Sequence, residues 1–156
     1  MSNNTFNKPK VFVIHGRDDN TRDRLELILH RIGAEPITLR KLPKIGAQTL
    51  IELLVENLPL ADAVVVLMTP DDEGRLRNSD ESLQPRAREN VLVEAGYSVI
   101  AQREKTLLIS IGNVSIPSDF GAIHRIDGST FDKSIEIQLA KRLTDMGLNV
   151  HLSGAA

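Results

Sequence analysis

The 156-residue chain has no cysteine and no tryptophan, one tyrosine and four phenylalanines. Without a thiol it can form no disulfide, no thiolate zinc site and no cysteine nucleophile, a composition suited to a reducing compartment. Phe6, Phe12, Tyr97, Phe120 and Phe131 are too few to build a stacking platform for single-stranded nucleic acid. Charge of one sign is missing too. With 19 Lys+Arg against 21 Asp+Glu and a formal net charge of −2, there is no excess of cations to displace counterions from a long polyanion, which argues against a nucleic acid polymer as partner. No apolar run approaches the roughly 20 residues needed to cross a bilayer. The opening MSNNTFNKPK lacks a signal-peptide core, so no membrane is expected and the cytoplasm is the expected location. His15, His30, His124 and His151 show no metal-ligand spacing, and Asp71-Asp72-Glu73 does not follow an EF-hand loop, so no metal is expected. Neither GxGxxG nor a Walker sequence is present, so no standard dinucleotide fingerprint or P-loop is expected.

What is present is alternation. The length suits one domain able to bury a core without staples. Residues 1–9 read as a flexible N-terminus, residues 10–147 as the domain, and residues 148–156 as a tail or the start of a linker. KVFVIHG reads as a buried strand. TRDRLELILHRIG follows as a helix with Leu25, Ile28, Leu29 and Ile32 on one stripe and Asp18 or Asp19 as its cap. EPITL reads as a second strand and AQTLIELLVENL as a second helix, with Leu50, Leu53, Leu54 and Leu58 facing inward. ADAVVVLMT is apolar on both faces, as a central parallel strand must be. A long polar loop, PDDEGRLRNSDESLQ, leads to Pro85 at the first turn of a third helix, RARENVLVEAGYSVIAQ. KTLLISIG and GAIHRI complete the strands, and TFDKSIEIQLAKRLTDMG closes the chain as an amphipathic helix. Five strands alternating with helices predict an α/β fold, a parallel sheet with helices on both faces.

In such sheets ligands bind beyond the carboxyl ends of the strands. That directs attention to His15-Gly16-Arg17-Asp18-Asp19, to Thr69-Pro70-Asp71-Asp72 and to the third helix. Gly16 gives a tight exit into a helix N-terminus whose free N–H groups suit a phosphate, with Arg17 as a bidentate partner. The plainer reading is an aspartate cap beside a solvated arginine. In NVLVEAGYSVIAQ the only charge is Glu94, and a carboxylate in so apolar a segment needs either a partner or a task. Helical spacing places Arg86, Asn90, Glu94 and Tyr97 on one face. Most such faces are only solvated stripes. The neighbouring Gly96 tips the balance, because glycine weakens a helix interior by about 1 kcal/mol and a close approach of backbone or ligand would account for it.

Taken together, VFVIHGRDD, LMTPDDEGRLR and PRARENVLVEAGY resemble the TIR-like nucleotide-binding domains of bacterial anti-phage effectors of the CBASS and Pycsar type, in which a TIR domain is joined to a STING, SAVED or cyclic-nucleotide-binding sensor. The resemblance covers roughly residues 10–147, and its most specific part is TPDDEGR followed by R-x-R-[EQ]-N-V-x-x-E-x-G. It implies a flavodoxin-like TIR fold and hydrolysis of NAD+, as substrate and not cofactor, at the nicotinamide–ribose bond. The catalytic glutamate of the family matches Glu94. His15, Gly16, Arg17, Asp18, Asp71, Asp72, Arg86, Asn90 and Tyr97 fall at positions expected around the NAD+ cleft. Glu89 departs from the pattern, where glutamine is the commoner residue. The resemblance also implies self-association through TIR domains and a cyclic-nucleotide-sensing domain in the same chain or a partner.

The chemistry fits one carboxylate. Nicotinamide in NAD+ is a cationic leaving group needing no general acid, so the site must stabilise an oxocarbenium-like ribose. Two other readings stay open from the residues: a TIR scaffold acting only by self-association, and a nucleoside deoxyribosyltransferase-like enzyme that uses a glutamate on a related fold.

Overall fold

In a computed structural model, residues 7–152 are described; residues 1–6 and 153–156, within the expected N-terminal and C-terminal tails, lie outside them. The sheet runs through β1 (Lys10–Ile14), β2 (Glu35–Ile37), β3 (Ala63–Met68), β6 (Thr106–Ile111) and β7 (Arg125–Gly128). These five pair in the order β2-β1-β3-β6-β7, every pair parallel. A small antiparallel hairpin, β4 (Asp72–Gly74) with β5 (Gln84–Arg86), stands apart from it. The helices are α1 (Asp19–Arg31), α2 (Leu50–Asn57), α3 (Glu89–Gln102) and α4 (Lys133–Asp145). The expected α/β parallel sheet of five strands is therefore present.

Strand residues alternate between two cores. Val11, Val13, Val65, Leu67, Leu107 and Ile109 point to the side of α1 and α4. Phe12, Ile14, Val64, Val66, Met68 and Leu108 point to the side of α2 and α3. β3 and β6 are buried at every position, as strands covered on both faces must be. Helix starts follow local chemistry. Asp18 caps α1 through Thr21 N and Oγ1, Thr49 and Glu52 form a reciprocal capping box on α2, and Asp132 caps α4.

Several expectations are corrected. Leu50 is 43% exposed instead of facing inward, because α2 begins at that residue and the buried positions start at Leu53. The long polar loop is partly ordered as the β4–β5 hairpin. Pro85 sits in β5 opposite Glu73, not in a helix; a short edge strand tolerates a residue with no N–H, and the Pro85 carbonyl accepts from Ser115 N at 2.8 Å. Arg86 thus leaves the helix, which begins at Glu89. The last strand starts at Arg125, later than GAIHRI suggested.

Candidate functional site

The order β2-β1-β3 places neighbouring crossovers on opposite sides of the sheet, and at the carboxyl edge beside this switch the loops part to leave a cleft. The cleft is lined by Ile14, His15 and Gly16 at the end of β1, Leu39 and Arg40 beyond β2, Leu50 at the start of α2, and Arg88, Asn90 and Glu94 at the start of α3. Leu39, Leu50 and Ile14 give it apolar walls. Its cavity is narrow, about 80 Å³, against the several hundred Å³ of sites that enclose whole nucleotide-sized ligands. A dinucleotide therefore requires the walls to part.

Glu94 is the only acidic side chain on this lining. It is half-buried and has no hydrogen bond or ion pair with any described residue. Loss of water raises its carboxyl to about 7, against a partial offset from the Arg88 guanidinium. A carboxylate held this way stabilises poorly on its own and gains most from a cation brought into the cleft. Asn90, one turn earlier, lines the same wall.

His15 and Gly16 are fixed by a clamp. His15 Nδ1–H donates to the Gly16 carbonyl at 3.0 Å, and the N–H of the same peptide unit, on Arg17, donates to Asp71 Oδ2 at 2.9 Å. Gly16 is buried, and a Cβ there would run into the Asp71 carboxylate. A side chain here would have to displace the Asp71 carboxylate from the Arg17 N–H. Burial holds the His15 imidazole below its ordinary pKa, with the Gly16 bond opposing and Arg22 and Arg40 adding to the effect.

Other expected site residues lie elsewhere. Arg17 is exposed and contributes its backbone N–H to Asp71, while its side chain is not on the cleft lining. Asp18 is occupied as the α1 cap, which lowers its pKa through the Thr21 bonds. Asp71 acts behind the wall, and Asp72 is exposed in β4. Arg86 lies over Gly74 across the hairpin, so the four-residue face drawn through it does not exist. Tyr97 packs against the α2–α3 core. No atom beyond its neighbours comes within 4 Å of a Cβ built at Gly96, so close approach by the chain's own atoms does not explain that glycine.

Sequence reasoning missed Arg40, Arg88, Leu39 and Leu50. A signal exists for the loop residues: the second strand also has a carboxyl end, and Leu39 and Arg40 follow it. Arg88 is the second arginine of the R-x-R that begins with Arg86. It is the residue just before α3 and lines the cleft.

A family model described as CAP12/Pycsar effector protein, TIR domain, matches residues 10–130. Among curated proteins, "Uncharacterized protein YuaY" of Escherichia coli (strain K12) is 38% identical over 115 residues, covering 73% of this chain and 38% of that protein. "Protein tirC" of Dictyostelium discoideum is 31% identical over 129 residues, covering 76% of this chain and 64% of that protein. The chain thus spans less than two thirds of either relative's length.

Proposed function

The chain belongs to the CAP12/Pycsar effector TIR-domain family, and from that premise we propose that it is an NAD+ glycohydrolase, releasing nicotinamide and ADP-ribose as an anti-phage effector. One observation carries the reading: the only acid on the cleft lining, Glu94, is half-buried and without a partner. An unpartnered carboxylate at a strand-end cleft suits an oxocarbenium-like ribose, whose positive charge develops as nicotinamide departs. The leaving bond sends its electron pair to the pyridinium nitrogen, so no acid is needed. Asn90 is placed to bind a ribose hydroxyl, and Arg88 and Arg40 to draw the diphosphate to the cleft mouth. Bringing cationic NAD+ beside Glu94 also favours the ionised carboxylate that the chemistry uses.

Self-association accompanies this reading. Val93, at 60% exposure, and Ile100, at 88%, share a face of α3 with the open side of Gly96, and such apolar exposure is costly for a surface that stays single. Family likeness also supports a cyclic-nucleotide sensor acting in the same chain or through a partner. The test is to incubate the purified protein at high concentration with NAD+, and separately with nucleosides. Free nicotinamide is expected from NAD+ and no base from nucleosides, and Glu94→Gln should remove the activity while keeping the fold. Full turnover by that variant would rule out the assignment, and base release from nucleosides alone would favour the deoxyribosyltransferase-like chemistry.

A further inference from the structure

Granted NAD+ cleavage in this cleft, we propose that His15 is a second catalytic residue, whose Nε2 takes the proton from the water that attacks ribose C1′. The tautomer follows from its partner. A carbonyl can only accept, so the 3.0 Å contact between Nδ1 and the Gly16 oxygen puts the ring proton on Nδ1. Nε2 is then left with a lone pair. It has no partner among the described residues, and the ring lines the cleft that holds Glu94.

The backing of the ring is built as a relay. The Gly16–Arg17 peptide accepts from His15 at one end and donates to the Asp71 carboxylate, at 2.9 Å, at the other. A peptide whose N–H is bound by a carboxylate is a better acceptor through its C=O. It thereby orients the imidazole and raises the basicity of Nε2, the part a buried carboxylate plays directly in Ser-His-Asp sites. Asp71 is a positioning residue in this arrangement, and the close contact at Gly16 accounts for the glycine. Burial keeps the imidazole neutral near pH 7. Arg22 and Arg40 reinforce this, and Asp19 opposes it. The step balances: the C1′–nitrogen bond breaks and its electron pair neutralises the pyridinium; the water oxygen bonds to C1′; its proton passes to Nε2 and then to solvent. Glu94 stabilises the cation, and His15 serves the second half of the reaction.

His15→Asn tests this, because the asparagine amide retains a donor near Nδ1 for the Gly16 carbonyl while removing Nε2. Hydrolysis is expected to fall about 10²- to 10⁴-fold in kcat with little change in KM. Exchange of nicotinamide for an added pyridine base should persist, so the ratio of exchange to hydrolysis rises. An unchanged ratio overturns the proposal, since loss of structure alone would slow both branches together. Nitrogen NMR of the wild-type protein supplies a readout free of activity: the His15 signal, identified by its loss in His15→Asn, should show Nδ1 protonated, and a proton on Nε2 overturns the proposal. If wild-type protein releases no nicotinamide at all, the NAD+ reading fails first, a result distinct from cleavage with an unaltered ratio.

Discussion

At the scale of single residues, the site is organised by which polar groups have partners and which do not. Asp18, Asp71 and His15 are each engaged, whereas Glu94 is not, and near neutral pH the buried charge of Glu94 carries a cost of folding. The sign follows from proton binding. Between the ordinary carboxyl value of 4.5 and about 7, the folded chain keeps a proton that the unfolded chain has released, so Glu94 lowers stability progressively as pH rises through that window and the loss levels off above it. Glu94→Gln has no such charge to bury. It is expected to be more stable than wild type at about pH 8, on the order of 1–2 kcal/mol after allowing for solvent screening of a half-exposed group, with the difference fading near pH 4.5. Urea midpoints at the two pH values check this, and an equal gain at both would mean that charge is not the cause. Glu94 was visible in the sequence as the one charge in an apolar run. Its partnerless state was not, because whether a basic side chain comes within bonding distance of it is decided by the fold and not by spacing along the helix.

At the scale of elements, the strands and helices that bury a continuous stripe were legible, since period alone specifies them. The α1 stripe of Leu25, Ile28 and Leu29 is of this kind, and β3, buried throughout, was legible as a short run apolar on both faces. The beginning of α3 was misread because Arg86 stands four residues before Asn90 and so imitates a helical neighbour, while what holds it in β5 is pairing with β4 and the bond from Ser115 to Pro85. Those partners are distant in sequence, and local pattern has no access to them. Gly96 offers a test within α3. With no atom in reach of a new methyl group, Gly96→Ala should gain about 1 kcal/mol of helix stability, raising Tm by roughly 2–4 °C for a chain of this length. A loss of Tm in a thermal scan would show that the position is constrained in a way its open surroundings do not reveal.

At the scale of the whole molecule, the sheet divides the chain into two unlike sides. Of the exposed large apolar residues, Leu50, Ile51, Val55, Val93 and Ile100 belong to α2 and α3, while α1 and α4 contribute Leu27 and Ile137. The Glu94 cleft opens between the start of α2 and the start of α3, so an assembly through this side would bear on the elements whose parting admits a dinucleotide. The sequences already differ in this sense, since LIELLVEN and ENVLVEAGYSVIAQ are richer in apolar residues than DNTRDRLELILHR and KSIEIQLAKRLTD, but which of those residues stay exposed is decided only by how the helices sit on the sheet. Ile100, 88% exposed, provides the test. Ile100→Glu removes no core contact, so monomer stability should stay within about 0.5 kcal/mol. A charge at the middle of an apolar contact should weaken self-association at least about tenfold, roughly 1.4 kcal/mol, as read by sedimentation. If assembly widens the cleft, NAD+ cleavage per protomer should climb with wild-type concentration and climb much less for the variant. A variant that associates as wild type does would remove α3 as the contact, and one that stays monomeric yet cleaves at the full wild-type rate would separate assembly from the opening of the Glu94 cleft.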